Sequence, residues 1–361
     1  MKYSLIIPVY NRPEEVDELL QSLVRQTCRD FEVVVVEDGS TIPCDAVVNR
    51  YANLLALKYY VKPNEGPGKA RNYGAMRSQG EYLLVLDSDC VLPPDYLEAV
   101  GRELASSPSD AFGGPDRAHD SFSPVQKAIN YSMTSFFTTG GIRGGRRQMD
   151  KKFYPRSFNM GIRAEVYRSL GGFSDMRFGE DIDFSIRIYR SGASCRLFPE
   201  AWVWHKRRTD MRKFFKQVFN SGMARINLTL RHPGTLKVVH LLPAAFTIVL
   251  LTCLLLALSG IGISVAGLIA GIPYDGDGEA TITSAGVAMM VISLLPQLLF
   301  SVTILADSSI RNKSLKIGLL SVIASYIQLV GYGMGFMSAW WRRCVCGVRT
   351  ESQAFRNSFY S

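Results

Sequence analysis

The stretch YLLVLDSDC, residues Tyr82–Cys90, sets the terms for the whole chain. Four of its first five residues are Leu or Val, the composition of a strand buried on both faces, as in a parallel sheet covered by helices. It then stops on two carboxylates, Asp87 and Asp89, separated only by Ser88. Uncompensated carboxylates at the edge of a core repel each other and cost on the order of several kcal/mol to desolvate. Something must neutralise them.

Upstream, the same pattern repeats. YSLIIPVY is a short apolar strand, followed by Pro13 with Glu14 and Glu15 behind it, a favourable first helical turn. Val16, Leu19, Leu20, Leu23 and Val24 then recur at the spacing of one helix face. FEVVVVEDGS is a second strand, closed by acids and glycine. A short helix over Asp45–Tyr51, a strand through Leu57–Val61 and a helix after NEGPGKARN lead into YLLVLDSD. Alternating strands and helices predict an α/β domain with a mostly parallel, Rossmann-like sheet. Ligands bind such sheets beyond the carboxyl ends of the strands, and Pro8–Asn11, Glu37–Ser40 and Asp87–Asp89 all fall there. Further on, SFNMGIRAEVYRSLGGF reads as strand, helix and glycine turn, and GEDIDFSIRIYRSG as a helix stopped by Gly192. TTGGIRGGRRQ, residues Thr138–Gln148, reads as a loop.

Two close carboxylates facing a cleft are relieved by a hard divalent cation. Mg²⁺ or Mn²⁺ takes one or two carboxylates and completes its shell with water and substrate phosphate. In NEGPGKARN, Gly66 and Gly68 allow close backbone approach while Lys69 and Arg71 bring positive charge; the spacing is not that of a Walker loop. Taken singly, each motif has a plainer reading, as acids at a strand-to-turn junction or basic residues on a solvated helix entry. Glu180 and Asp181 stabilise a helix start in any case.

The chain has 361 residues, 20% of them charged, and a net charge of +9. Its slightly positive mean hydropathy averages two unlike parts. After about Lys237 come three uncharged apolar runs, Leu241–Pro273, Thr281–Ala306 and Ile317–Trp341. Each exceeds the roughly 20 residues that a membrane-crossing helix needs. Nine basic residues against Asp210 alone fill His205–Lys237. Next to apolar spans, such a run points to the inner face of a membrane and anionic lipid rather than to nucleic acid. Phe214, Phe215, Val218 and Phe219 share a helical face there, which predicts an interfacial helix. The first apolar run, Leu5–Tyr10, is too short for a signal peptide, so the N-terminal domain is expected to face the cytoplasm. Seven cysteines without repeated spacing predict no disulfide framework, and Cys344-x-Cys346 lacks a second pair for zinc.

Together, LIIPVYNRPEEVDELLQSLVRQTCRDFEVVVVEDGS, NEGPGKARN, LDSD and NMGIRAEVYRSLGGFSDMRFGEDIDF resemble a family 2 glycosyltransferase of the GT-A fold over roughly Lys2–Arg208. The order and spacing of the motifs carry the resemblance. It implies a UDP- or GDP-sugar donor and inversion at the anomeric carbon. It also implies roles: Pro8 and Tyr10 line the nucleobase pocket, Asp38 bonds the base, and Lys69, Arg71 and Ser88 serve the nucleotide. Asp87 approaches the ribose or the metal, Asp89 binds the Mn²⁺ or Mg²⁺ that holds the diphosphate, and Asp181, with Glu180 beside it, is the catalytic base. His205 matches a histidine that some members place near the metal, although a histidine closing AWVWH has a structural reading too. Such chemistry needs two acid sites, one for the leaving group and one to take the acceptor's proton.

Gln217–Ser221 lacks the arginine and tryptophan of the Q-x-x-R-W motif of processive members, so transfer of a single sugar is expected. The expected organisation is a catalytic domain over 1–208, a basic interfacial segment over 209–237, about three membrane helices over 238–342 and a basic tail over 343–361. The leading expectation is a multi-pass inner-membrane enzyme using a lipid-linked or cell-envelope glycan acceptor. A nucleotidyltransferase on a similar sheet, or a non-catalytic nucleotide-sugar sensor, are the alternatives. Three spans would leave WWRR and Arg349 outside, against the positive-inside rule. Either the segment around GYGMGF is re-entrant or Leu241–Pro273 passes twice.

Overall fold

The computed structural model describes residues 1–117, 122–139, 153–269 and 282–349. Most of the Thr138–Gln148 loop, the acidic loop Tyr274–Glu279 and the end of the basic tail lie outside them. The chain forms two units. The first takes in Met1–Phe122 and the described part of Ile142–Arg207; the second takes in the described part of Ser123–Gly141 together with Arg208–Arg349. A transition between the two units falls at Arg207–Arg208. The chain leaves the first unit around residue 123 and returns to it.

In the first unit the elements run β1 (Tyr3–Val9), α1 (Pro13–Val24), β2 (Phe31–Asp38), α2 (Asp45–Tyr51), β3 (Leu57–Lys62), α3 (Pro67–Ala75), β4 (Tyr82–Leu86), β5 (Cys90–Val91), α4 (Tyr96–Ser106), β6 (Ala111–Gly113) and β7 (Asp116–Arg117). The second unit contributes α5 (Pro124–Thr134) and α6 (Phe136–Thr139). The first unit resumes with β8 (Asn159–Arg163), α7 (Ala164–Ser169), α8 (Glu180–Arg190), β9 (Cys195–Leu197) and β10 (Val203–His205).

Seven strands form one sheet in the order β3-β2-β1-β4-β8-β6-β9, with β1 to β4 parallel and β8 antiparallel to β4. The central strands are buried on both faces. Leu5, Ile7, Val33, Val35 and Leu84 join one core, while the alternating Ile6, Leu83 and Val85 join the core on the opposite face. Each such side chain contributes about 1.5–3 kcal/mol when fully buried. The predicted face of α1, through Val16, Leu19, Leu20 and Leu23, is buried in the first of these cores. A small sheet, β5-β10-β7, then brings His205 opposite Cys90 and Trp204 beside Arg117. This pairing gathers three distant segments at one place.

The rest of the second unit is helical: α9 (Met211–Arg231), α10 (Leu242–Ile269), α11 (Ile282–Asn312) and α12 (Leu315–Trp340). Three of its helices are long and apolar enough to cross a membrane, Leu242–Ile269, Thr283–Asn312 and Leu315–Val345. Residues 242–269, the described part of Leu241–Pro273, form one unbroken helix, α10, and GYGMGF is helical throughout. Its glycines serve close packing. A Cβ on Gly335 would lie 2.0 Å from the Phe219 carbonyl oxygen, and one on Gly222 would lie 2.1 Å from that of Tyr332. Contacts this close let α9 and α12 approach through their backbones. Gly222→Val is expected to destabilise the second unit by overpacking, by roughly 1–3 kcal/mol or more. Thermal unfolding in detergent, with Gly262→Ala at an open position as control, checks this.

Candidate active site at the strand ends

The carboxyl ends of β1, β2 and β4 carry the acids as the sheet order requires. The ends of β1 and β2 are tied by Asn11, which adopts φ +54°. Its side-chain oxygen accepts the amides of Thr41 at 2.8 Å and Ile42 at 2.9 Å. Tyr10 stands exposed at this end, and Pro8 is half-buried in β1.

Asp38 closes β2 and is buried. Lys62 Nζ donates to its Oδ1 at 2.7 Å, as does the Glu65 amide at 3.0 Å, and the Gly66 amide donates to Oδ2 at 2.8 Å. Asp38 thus anchors the turn that opens α3. Gly66 has φ +98°, and a Cβ there would lie 2.7 Å from Arg177 Nη1, so the turn requires glycine. Lys69, one helical turn beyond Glu65, reaches its carboxylate at 3.0 Å near the surface.

The two acids of LDSD have different partners. Asp87 Oδ1 accepts from Arg71 Nη2 at 2.8 Å, and Arg71 Nη1 donates to Glu180 Oε1 at 2.8 Å. Arg71 is only 3% exposed, with its guanidinium 5.1 Å from the Phe173 ring centre. Burial disfavours its charge, but Asp87 and Glu180 outweigh that and lock the cation in place. Burial holds the Glu180 carboxyl above the usual carboxylate range, with Arg71 opposing and Asp181 adding to the rise. Asp181 sits at the start of α8, where Oδ2 meets Arg156 Nε at 3.0 Å and Oδ1 accepts the Ile182 amide at 2.8 Å.

Asp89 turns the other way. Its Oδ2 pairs with Arg12 Nη1, and its Oδ1 faces His205 Nε2 at 3.2 Å. The far side of the imidazole faces Asp116 Oδ2 at 3.8 Å from Nδ1, and Arg207 Nη2 holds that same oxygen at 2.6 Å. Phe158 stacks on the ring, with centroids 4.9 Å apart. Burial alone would lower the His205 pKa, but Asp89 and then Asp116 carry it up to about 9. Burial would likewise raise the Asp89 carboxyl, yet His205 and Arg12 hold it far below the usual range.

This corner fits a divalent cation. Asp89 Oδ1 is buried and accepts no hydrogen bond, and Asp89, Cys90 and His205 offer ligand atoms within 4.8 Å of one another. A carboxylate oxygen beside an imidazole nitrogen suits Mn²⁺, with open positions left for phosphate oxygen. Asp87, half-exposed beyond β4, is held by Arg71 instead, and Ser88 is buried between the two acids.

The structure thus joins Asp87, Arg71 and Glu180 in one network and Asp89 and His205 in another. Sequence reasoning missed Arg12, Lys62, Asp116, Arg156, Phe158 and Arg207. Arg12 follows the end of β1 directly, and Asp116 follows a short apolar strand, so the rule that placed Asp87 could have found both. Nothing local marks Arg156 or Phe158.

Residues 4–171 match the model of glycosyl transferase family 2. The poly(ribitol-phosphate) beta-N-acetylglucosaminyltransferase TarS of Staphylococcus aureus is 39% identical over 114 residues, 30% of this chain and 20% of that protein. The pre-mycofactocin glycosyltransferase of Mycobacterium tuberculosis is 28% identical over 235 residues, 64% of this chain and 48% of that protein. The chain therefore spans less than half the length of either relative. Among solved structures, the mannosyltransferase PcManGT of Pyrobaculum calidifontis, in complex with GDP-Man and Mn²⁺, aligns with a TM-score of 0.53 at 16% identity. That alignment covers 95% of this chain and 88% of that one and establishes a shared GT-A-like α/β fold.

Proposed function

We propose that this chain, which belongs to the family 2 glycosyltransferases through residues 4–171, transfers one sugar from a UDP- or GDP-sugar to an acceptor hydroxyl with inversion. The observation that carries the reading is the Arg71 bridge. It couples Asp87, at the end of the donor-side strand, to Glu180 and hence to Asp181 at the head of α8. Leaving-group and nucleophile chemistry thereby share one rigid frame.

In this reading Asp38 fixes the α3 turn against the nucleobase pocket lined by Pro8 and Tyr10, with Lys69 and Ser88 on the nucleotide side. Asp87 and Arg71 orient the ribose and diphosphate. Asp89 and His205 would hold Mn²⁺ or Mg²⁺, which neutralises charge developing on the departing diphosphate. Asp181 takes the proton from the acceptor hydroxyl as the new bond forms on the face opposite the diphosphate. Glu180 keeps Arg71 in position.

Because three helices are long and apolar enough to cross a membrane, we infer a lipid-linked or cell-envelope glycan acceptor and a catalytic unit on the cytoplasmic side of the inner membrane. TarS, by its name, builds a β-linked N-acetylglucosaminide, and the PcManGT structure holds GDP-Man, which supports the donor classes named here.

Release of free nucleotide from a panel of UDP- and GDP-sugars in the presence of Mn²⁺ tests the reading. Asp89→Ala is expected to weaken Mn²⁺ binding at least tenfold by electron paramagnetic resonance and to reduce nucleotide release at least 100-fold, on the scale of one lost charge-stabilising group. Chelation should abolish wild-type turnover, and Mn²⁺ should restore it. Full activity in chelator would exclude the cation role.

A further inference from the structure

Three helices are apolar enough to span a membrane, but their mutual contacts treat them differently. α10 and α11 form an antiparallel hairpin, paired from Phe246 with Phe300 to Ser264 with Thr283. Phe246 meets Phe300 with ring centroids 5.4 Å apart, a Cβ on Gly260 would touch the Gly286 carbonyl, and Ser264 Oγ donates to the Thr283 carbonyl at 3.2 Å. Pro243 therefore lies at one end of the paired region, with the last turns of α11 up to Asn312 running about 13 Å beyond it, and residues 269 and 283 lie at the other end. Large apolar side chains such as Leu251, Leu255, Leu258, Ile292, Leu298 and Leu299 stay exposed along it, as lipid-facing residues do.

α12 meets this hairpin beside the start of α10 and as far as the middle of α11, where Tyr326 lies against Phe246 and Phe300 with ring centroids 5.9 and 5.4 Å apart and its hydroxyl donates to the Gln297 carbonyl at 3.2 Å. Gly318 lies against Leu305 and Ser309 of α11, Ser321 bonds Ser308 at 2.7 Å, and Gly333 lies against Pro243 and Thr247 of α10. From Gly318 to Gly333 a helix advances about 22 Å. A spanning helix would use that advance to cross most of a hydrocarbon core about 30 Å thick. Here these points, and the Tyr326 contacts between them, remain within about 10 Å, measured along the hairpin helices, of the end where α10 begins.

The face that α12 turns to α9 agrees. Phe214 shares a core with Ile317 and Ala324, Val218 lies against Gly331, and Phe219 against Gly335, so α9 follows α12 over most of its length. Yet α9 carries Arg212, Lys213, Lys216, Arg225 and Arg231 and cannot accompany a neighbour through hydrocarbon. On the far face of α12, Leu319, Ile323, Met334 and Trp341 form an exposed apolar stripe. Trp340, Trp341, Arg342 and Arg343 then follow as a set suited to the headgroup layer.

We propose that α12 does not cross the membrane but lies in its interface, with the Leu319–Ile323–Met334–Trp341 stripe against acyl chains and α9 on its other side. The α10–α11 hairpin is then the membrane-crossing element, and the C-terminal segment returns to the side from which α10 enters. The positive-inside conflict disappears, because Arg342, Arg343 and Arg349 come to the same side as the basic α9. The placement rests on the membrane reading of the hairpin and not on the glycosyltransferase assignment.

Two natural probes are available, since Cys344 and Cys346 are exposed. Single-cysteine versions of the full chain, retaining Cys28, retaining Cys344, or carrying Asp277→Cys between α10 and α11, are labelled with a membrane-impermeant maleimide in right-side-out and inverted vesicles. Cys344 is expected to label from the same side as Cys28, and Asp277→Cys from the opposite side. Labelling of Cys344 with Asp277→Cys, or of Asp277→Cys with Cys28, overturns the proposal. Spin labels at Leu319→Cys and Met334→Cys give an independent reading that does not require the natural thiols to react. Equal depth in one leaflet supports an in-plane helix, and positions in opposite leaflets overturn it. Nucleotide release by the same vesicles separates this outcome from failure of the catalytic reading.

Discussion

Asp181→Asn is expected to lower kcat by about 10²–10⁴-fold, the usual contribution of a positioned general base. Donor KM should stay within about threefold, because the change removes basicity and little binding. The substitution is nearly isosteric. The side-chain oxygen can still accept the Ile182 amide, which it does at 2.8 Å, so the head of α8 should keep its geometry. Single-turnover kinetics with saturating donor, together with donor binding measured by calorimetry, separate the two effects. Unchanged turnover would remove Asp181 from the chemical step and leave donor binding as the role of the site. A large rise in KM with unchanged kcat would assign it to binding instead.

Arg71→Met is expected to show the largest loss of stability in the first unit. Arg71 is buried between Asp87 and Glu180, each 2.8 Å away, and removing one partner of such a network costs about 3–5 kcal/mol. For a domain of this size that corresponds to a fall in melting temperature of roughly 10 °C. The pH dependence gives the variant a signature. Burial already raises the Glu180 pKa in the folded protein, and loss of Arg71 removes the strongest opposing charge. A carboxyl raised above its unfolded value makes the folded state bind more protons than the unfolded one, so stability falls as pH rises. The deficit of Arg71→Met relative to wild type should therefore narrow from pH 8 to pH 5.5, and Arg71→Met with Glu180→Gln should recover part of it. A deficit independent of pH would mean that lost packing against Phe173, not charge, dominates.

The structure adds to the sequence reading of LDSD. Alternating apolar runs were enough to predict β1, β2 and β4, because a strand buried on both faces can be built only from such residues. The edge at which those strands end was equally legible, since parallel topology leaves one carboxyl edge. A divalent cation was the expected relief for Asp87 and Asp89, and the structure adds an arginine beside each of them. Arg12 and Arg71 are distant in sequence, and arginine-carboxylate pairing depends on side-chain direction that no local pattern records.

In the second unit the limit is of another kind. Composition predicted long apolar helices at the correct places, but hydropathy reports only that a face is apolar, not whether it meets lipid or protein. A re-entrant GYGMGF was one way to reconcile three spans with the positive-inside rule. Gly331 and Gly335 are instead where Val218 and Phe219 approach α12.

By itself the sequence determined the parallel sheet, the edge that bears the acids, the order of the motifs and the membrane character of the later helices. Each follows from periodicity, which is a property of neighbouring residues. Tertiary structure alone decided which arginine neutralises which acid, that β10 places His205 opposite Cys90, and how α12 lies against α9 and the α10–α11 hairpin. Those depend on pairings between segments far apart in the chain, which packing selects only once the whole unit has closed.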